Sequence, residues 1–260
     1  MNIVVCMKQV PDTTAEKTLN PDGTLNRASV PAVVNPWDEY AIETALRIRE
    51  AQGGEVTLLC MGPENAPETI RRGLAMGADK AVLVTDPALH GSDIWATGLV
   101  LAQALKKLQF DLVLFGSQST DAGGGIVYGI VAELLGLPQV SWVNQIEVTD
   151  GKVRGQRLSD SGFDVVEASL PALVSITQTP YEPRYSTLPN IMKAKKKELL
   201  TWSPAEIGVP MDQVGLAAAR TAVIGTEKPQ TARQTSVYVA EDPEATAKYI
   251  ADFLAARKLI

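Results

Sequence analysis

The sequence predicts an α/β fold: a mainly parallel sheet flanked by helices, with a β-meander extension and an extended C-terminal arm ending in a helix. Three observations carry this. Short apolar runs alternate with longer amphipathic stretches over residues 3–135, the pattern of a parallel sheet wrapped by helices. After Pro138 the texture changes to closely spaced strand-like segments, which extend or flank that sheet. From Pro180 onward prolines are frequent and periodicity weakens until a final amphipathic stretch.

Ile3–Met7 is the first strand. Asp38–Arg49 is a helix, because Ala41, Ile42, Ala45, Leu46 and Ile48 share one face and Asp38 and Glu39 suit its N-terminal end. Gly53 and Gly54 break it. Glu55–Met61 is the second strand, and Ala66–Met76 the second helix, closed by Gly77. Ala81–Val84 is the third strand, followed by a loop with His90, Ser92 and Asp93. Ile94–Leu108 is the third helix, its stripe formed by Ile94, Leu99, Leu101, Ala102 and Leu105. Leu112–Phe115 is the most hydrophobic strand, and Ile126–Leu135 a helix stopped by Gly136 and Pro138. Val143–Val148, Lys152–Leu158, Phe163–Ser169 and Ala172–Thr177 are strands, the first two joined by an Asp150-Gly151 hairpin turn. Residues 209–240 show no core face and read as an arm, and Asp242–Leu259 is a helix with Ala247, Ile250, Phe253 and Leu254 on one side. Such an arm suits packing on another chain better than a lone monomer. The expected division is therefore an α/β domain over 1–200 and an arm over 201–260.

Composition excludes several classes. The 260 residues are 45% hydrophobic, enough for a full-sized core, and the net charge of −6 argues against a general nucleic-acid binder. No stretch approaches the roughly 18 apolar residues of a membrane span. The N-terminus runs straight into a strand with no leader pattern. The expectation is a soluble, cytoplasmic protein; a matrix protein stripped of its transit peptide would look the same. Cys6 and Cys60 lie among apolar residues and read as buried free thiols, not a disulfide framework or a metal site. His90 is the sole histidine and reads as a loop-structuring residue, so neither a metal site nor Ser-His-Asp hydrolysis is expected.

The informative stretch runs from Leu112 to Gly125. A buried strand delivers the chain into a Gly/Ser/Thr loop that feeds a helix, so backbone amides and the helix N-terminus can approach phosphate oxygens. Ser117, Ser119 and Thr120 add hydroxyl donors. Three successive glycines are costly in chain entropy and are hard to explain by packing alone. The pattern is neither a Gly-Lys-Ser/Thr phosphate loop nor a Gly-x-Gly-x-x-Gly fingerprint, so it points to a nucleotide without saying which.

Several strings resemble electron-transfer flavoprotein β subunits. They are Val5-Cys6-Met7-Lys8-Gln9-Val10-Pro11-Asp12, Asn35-Pro36-Trp37-Asp38-Glu39, Met61-Gly62-Pro63, Ala75-Met76-Gly77-Ala78-Asp79, and the run Glu182–Lys197. They come in the family's order from residue 3 to about 200. The resemblance implies a heterodimer with an α subunit that carries the redox-active FAD. It implies AMP, or a second FAD, in a Rossmann-like pocket of this chain lined by Cys6, Asn35, Pro36, Trp37, Asp38, Met61 and a loop. Those loop residues are Gly116, Ser117, Gln118, Ser119, Thr120, Asp121, Ala122, Gly123, Gly124, Gly125, Ile126 and Val127. Trp37 packs on the adenine or fills the core; the sequence leaves both open. The loop departs from the family, which places acidic, Asn/Thr and Gln side chains where Gly123, Gly124, Gly125 and Ile126 stand here. Binding would then rest on backbone amides, Ser119, Thr120 and Asp121.

The same resemblance makes Glu182–Lys197 a partner-recognition loop. Leu188 is its anchor for flavoprotein dehydrogenases, beside Pro189, Ile191, Met192, Lys193 and Lys196, with Arg184 nearer the flavin edge. An apolar anchor beside lysines suits transient docking to acidic partners; the alternative is a solvated charged face. The implied function is electron carriage from flavoprotein dehydrogenases to a quinone oxidoreductase or similar acceptor, with no catalytic residue of its own. Two alternatives stand: an electron-bifurcating form whose second FAD is reduced by NADH, and a stand-alone nucleotide-binding regulator.

Overall fold

In the computed structural model, which describes residues 1–227 and 242–260, the apolar runs assemble into one nine-stranded sheet. It starts from β1 (Asn2–Met7), an interior strand. A short antiparallel pair, β2 (Gln9–Pro11) and β3 (Ala32–Val34), leads to α1 (Pro36–Gln52). Then follow β4 (Glu55–Met61), α2 (Pro67–Met76), β5 (Lys80–Val84), α3 (Ile94–Lys106), β6 (Leu112–Gly116) and α4 (Val127–Leu135). The meander consists of β7 (Gln139–Thr149), β8 (Lys152–Ser159) and β9 (Gly162–Ser169), after which β10 (Ala172–Ile176) returns to the sheet. A short helix, α5 (Leu188–Ala194), precedes β11 (Leu199–Trp202), α6 (Gly215–Ala218) and the terminal α7 (Pro243–Ala256).

The strand order is β11-β5-β4-β1-β6-β10-β7-β8-β9. All pairs from β11 to β7 are parallel, and the β7–β8 and β8–β9 pairs are antiparallel. The alternation of a buried strand explains the two cores. On β1, Ile3, Val5 and Met7 face one core with Ile42, Leu46, Ile70 and Leu74 of α1 and α2. Val4 and Cys6 face the other, with Val100, Leu105 and Val131 of α3 and α4. A sheet covered on both sides accounts for strands that read as continuous apolar runs.

The expected strands and the five long helices all form. The structure differs after Pro180. Leu188–Ala194, within the expected recognition loop, is a helix capped by the Thr187 hydroxyl, which accepts from the Asn190 amide. Leu199–Trp202 adds a strand on β5, four residues too short to show a period. Residues 209 onward were expected to lack a core face, yet Val209 and Val214 are buried in the second core. Asp93 explains how this stretch is held. One carboxylate oxygen caps α3 by accepting from the Ala96 amide, while the other accepts from the amides of Arg220 and Thr221. The chain divides into two units, Met1–Val223 and Ile224–Ile260. In the second, α7 is capped by Asp242, and Ile250 and Phe253 are exposed. Residues 228–240 of the expected arm lie outside the described residues. No helix among the described residues is long and apolar enough to cross a membrane.

Candidate functional site

From β1 the chain steps outward through β4 and β5, then crosses to the other side of β1 as β6. Ligands of open α/β sheets bind where strand order reverses in this way, outside the carboxyl ends of the strands. Here that crevice is bounded by the residues after β1, the start of α1 and the loop after β6.

Gly116 ends β6 against the first turn of α1. A Cβ there would lie 2.3 Å from Asp38 Oδ1 and 2.7 Å from the Trp37 carbonyl carbon, so only glycine permits the approach. Asn35, which is buried, stands at the cap position of α1 but makes no side-chain capping bond. Its amide instead splints the loop: Nδ2 donates to the Gln118 carbonyl at 2.8 Å, and Oδ1 accepts from the Thr120 amide at 3.2 Å. Asp38 Oδ2 accepts from the Lys8 amide at 2.7 Å. The side chain of Asp121 is fully buried, held by Lys8 Nζ at 2.9 Å and by Arg27. Lys8 Nζ also reaches the Ser119 hydroxyl at 3.4 Å, and Lys17 Nζ donates to the Thr120 carbonyl at 3.4 Å. Three cations and one carboxylate thus surround a loop whose turns use Gly123 and Gly125 at φ +61° and +62°.

Two hydroxyls in this loop, Ser117 Oγ and Thr120 Oγ1, are buried without a hydrogen-bond partner among the described residues. Buried polar atoms normally have one. Beside them α4 follows Ile126, whose side chain makes no capping bond, leaving its first amides to other acceptors. Orphaned hydroxyls, uncapped amides and surplus positive charge are the donor set of a phosphoryl group, so the residues present fit a nucleotide.

Burial governs the acids here. It pushes Asp38 up to about 7, outweighing the Lys8 amide, the Asn35 side chain and the Gly116 amide. Burial acts on Asp121 too, but Lys8 and Arg27 outweigh it and hold that carboxyl below its usual range. Burial, then the charge of Asp38, pushes the Cys6 thiol well up, and burial takes Cys60 to about 12. Both cysteines are free and act as apolar wall, not as nucleophiles. Trp37 is half-buried on the first turn of α1, and Met61 ends β4. Cys6, Asn35, Pro36, Trp37, Asp38 and the loop therefore gather at the ends of β1 and β6. Lys8, Lys17 and Arg27 were not anticipated as site residues. Lys8 carries a signal, following directly on the first strand, but Lys17 and Arg27 lie in an aperiodic polar stretch that carries none.

The recognition segment lies elsewhere. Arg184 does not project a free cation: its guanidinium is shared between Glu43, with Nε to Oε2 at 2.7 Å, and Glu50. Burial raises Glu43 most, yet the contacts of Arg184 and Arg47 outweigh it and hold this carboxyl below its usual value. Leu188 is 78% and Met192 62% exposed, while Ala194 is buried against the protein. Pro189, Ile191, Lys193 and Lys196 are exposed. Arg71 Nη1 donates to the carbonyls of Ala194 and Lys197, each at 2.6 Å, and Lys197 Nζ donates to the Leu74 carbonyl at 3.0 Å. Lys197 is thus a clasp on the end of α2, not part of a solvated face. Two cavities lie apart from the crevice floor. One of about 340 Å³ is lined by Trp95, Ile126, Ile130 and Leu134, and one of about 230 Å³ by Glu39, Arg72, Arg184 and Tyr185.

Known proteins resemble this chain over its length. A family model described as the electron transfer flavoprotein domain matches residues 22–207. An electron transfer flavoprotein subunit beta from Mycobacterium tuberculosis is 44% identical, covering 100% of this chain and 99% of that protein. One of the same name from Megasphaera elsdenii is 39% identical over 100% of both chains. The caffeyl-CoA reductase-Etf complex subunit CarD of Acetobacterium woodii is 39% identical over 88% of each. With a family model over residues 22–207 and full-length relatives of one kind, this chain belongs to the electron transfer flavoprotein β-subunit family.

Proposed function

We propose that this chain, as the β subunit of a heterodimeric electron-transfer flavoprotein, holds AMP in the Gly116–Val127 loop while the α subunit carries the redox-active FAD. Family membership implies the α partner and the electron-transfer role, and sets aside the stand-alone regulator. The observation that carries the nucleotide reading, whether AMP or FAD, is the pair of buried hydroxyls of Ser117 and Thr120, unpartnered among the described residues, at the strand-order reversal. FAD supplies the one-electron chemistry when bound. This chain's own residues bind and brace. Asn35 fixes the loop to α1, Lys8 and Arg27 fix Asp121, and the loop amides donate to the phosphoryl oxygens. Flavoprotein dehydrogenases dock at Leu188 and neighbouring α5 residues, a quinone oxidoreductase or similar protein accepts the electrons, and the site of action is the cytoplasm. A flavin-edge role for Arg184 requires it to exchange Glu43 or Glu50 for the new partner.

A second FAD in place of AMP, reduced by NADH, is the other reading. The loop itself favours keeping it, because backbone amides and two hydroxyls accept a pyrophosphate as readily as a monophosphate. One measurement decides. Nucleotides released from the co-expressed heterodimer and weighed by mass spectrometry should give one FAD and one AMP. Two FAD molecules support the bifurcating form, and a β chain carrying neither overturns both readings.

A further inference from the structure

Between Asp121 and Ile126 the loop offers only Ala122 and three glycines, so it has no side-chain donor there. One residue from the meander stands against this gap. Cζ2 of Trp142 lies 3.5 Å from the position a Cβ on Gly125 would take. Trp142 has φ +57°, a left-handed conformation in which a bulky residue is strained. Its position is fixed by a break in the sheet. The β7–β10 register shifts between Val174 and Ile176, and the Trp142 amide donates to the buried hydroxyl of Ser175 at 2.8 Å. A bulge of this kind re-aims one side chain. Here it brings the indole Nε1–H to the Tyr128 hydroxyl, to which it donates at 2.6 Å.

Tyr128 lies in the first turn of α4 and is 8% exposed. A phenol has one proton to donate as well as lone pairs to accept, whereas an indole N–H only donates. Trp142 therefore occupies an acceptor position and leaves the Tyr128 proton directed elsewhere. No acceptor among the described residues takes it. The unpartnered, 1% exposed hydroxyl of Ser117 lies in the same loop, whose carbonyl oxygen is 3.9 Å from that same Gly125 Cβ position. A strained backbone, a bulge and a donated indole proton thus hold a phenolic donor at the start of α4, joined through Trp142 to the glycine stretch that supplies none.

We propose that Tyr128, oriented by Trp142, donates its hydroxyl proton to the phosphoryl group of the nucleotide held by the Gly116–Val127 loop. Trp142 is the positioning residue and Tyr128 the ligand-contacting one. The proposal rests on the nucleotide reading above and adds to it the residues that set affinity.

The test uses the intact heterodimer with its FAD-bearing partner, freed of loosely held nucleotide and titrated with AMP by calorimetry. Tyr128→Phe keeps the ring and removes the hydroxyl, both its proton and the oxygen that accepts from Trp142; its dissociation constant for AMP should rise about tenfold, the effect of losing one hydrogen bond to a charged acceptor. Trp142→Phe keeps an aromatic ring against Gly125 and should weaken AMP in the same direction. In the Tyr128→Phe background it should add little, since its effect runs through the phenol. FAD content should match wild type in both variants, while the melting temperature without AMP should fall in Tyr128→Phe, whose Trp142 indole N–H loses its acceptor. Unchanged AMP affinity in Tyr128→Phe overturns the proposal, as does a Trp142→Phe effect of equal size in both backgrounds. A wild-type protein that takes FAD instead moves the same titration to FAD. One that binds neither overturns the nucleotide reading together with this proposal.

Discussion

A carboxylate in the first turn of a helix is ordinarily stabilised by the amides around it. Asp38 sits in such a turn, yet burial dominates and lifts its pKa to about 7. The sign of the consequence follows from comparing states. Unfolded, the group titrates near 3.9, so between about pH 4 and 7 the folded chain holds a proton that the unfolded chain has released. Stability from this group is therefore full at low pH and declines as pH rises toward 7. Asp38→Asn should remove that decline: urea midpoints of the variant should stay flatter than wild type from pH 5 to 8, whatever its absolute stability. Parallel curves for the two proteins would refute the assignment. Residue by residue, the site was legible where spacing and chemistry coincide. The Gly/Ser/Thr loop pointed to Gly116, the family resemblance supplied Asn35 and Asp38, and the fold brings all three to one crevice. Arg27, Lys17 and Trp142 were not legible, because they arrive from distant segments. Only the folded sheet brings Trp142 to Gly125, and only a bulge aims it there.

At the scale of elements, the strands of the parallel sheet were readable because burial on both faces removes polar interruptions, and the helices because their apolar faces recur. What failed was short or proline-flanked: β2, β3, β11 and α5 are three, three, four and seven residues long. For α5 this matters functionally. Its inner side is fastened by Ala194, Arg71 and Lys197, leaving Leu188 and Met192 to solvent on a braced scaffold. Leu188→Ala should leave stability within about 0.5 kcal/mol of wild type, as for other exposed positions. It should slow reduction of the heterodimer by a partner dehydrogenase about tenfold, the loss expected for a docking anchor, with flavin content unchanged. Stopped-flow traces under substrate-reduced dehydrogenase measure this. An undiminished rate removes the docking role.

Over the whole molecule, the charge is unevenly spread. A net −6 coexists with exposed Lys193, Lys195 and Lys196 at one helix end, an arrangement that hastens encounter with acidic surfaces and weakens with salt. The part of the chain that runs past the second core is governed by a different acid. Asp93 uses one oxygen on the start of α3 and the other on the amides of Arg220 and Thr221. Asparagine can reproduce the first task but has no second acceptor for the other. Asp93→Asn should therefore keep the α3 helix while trypsin cuts faster after Arg220, and an unaltered digestion rate would show that the tie is idle. A single side chain works here as a mooring point, tying residues 220 and 221 to the first turn of a helix on the sheet's flank and not to the strands that frame the crevice.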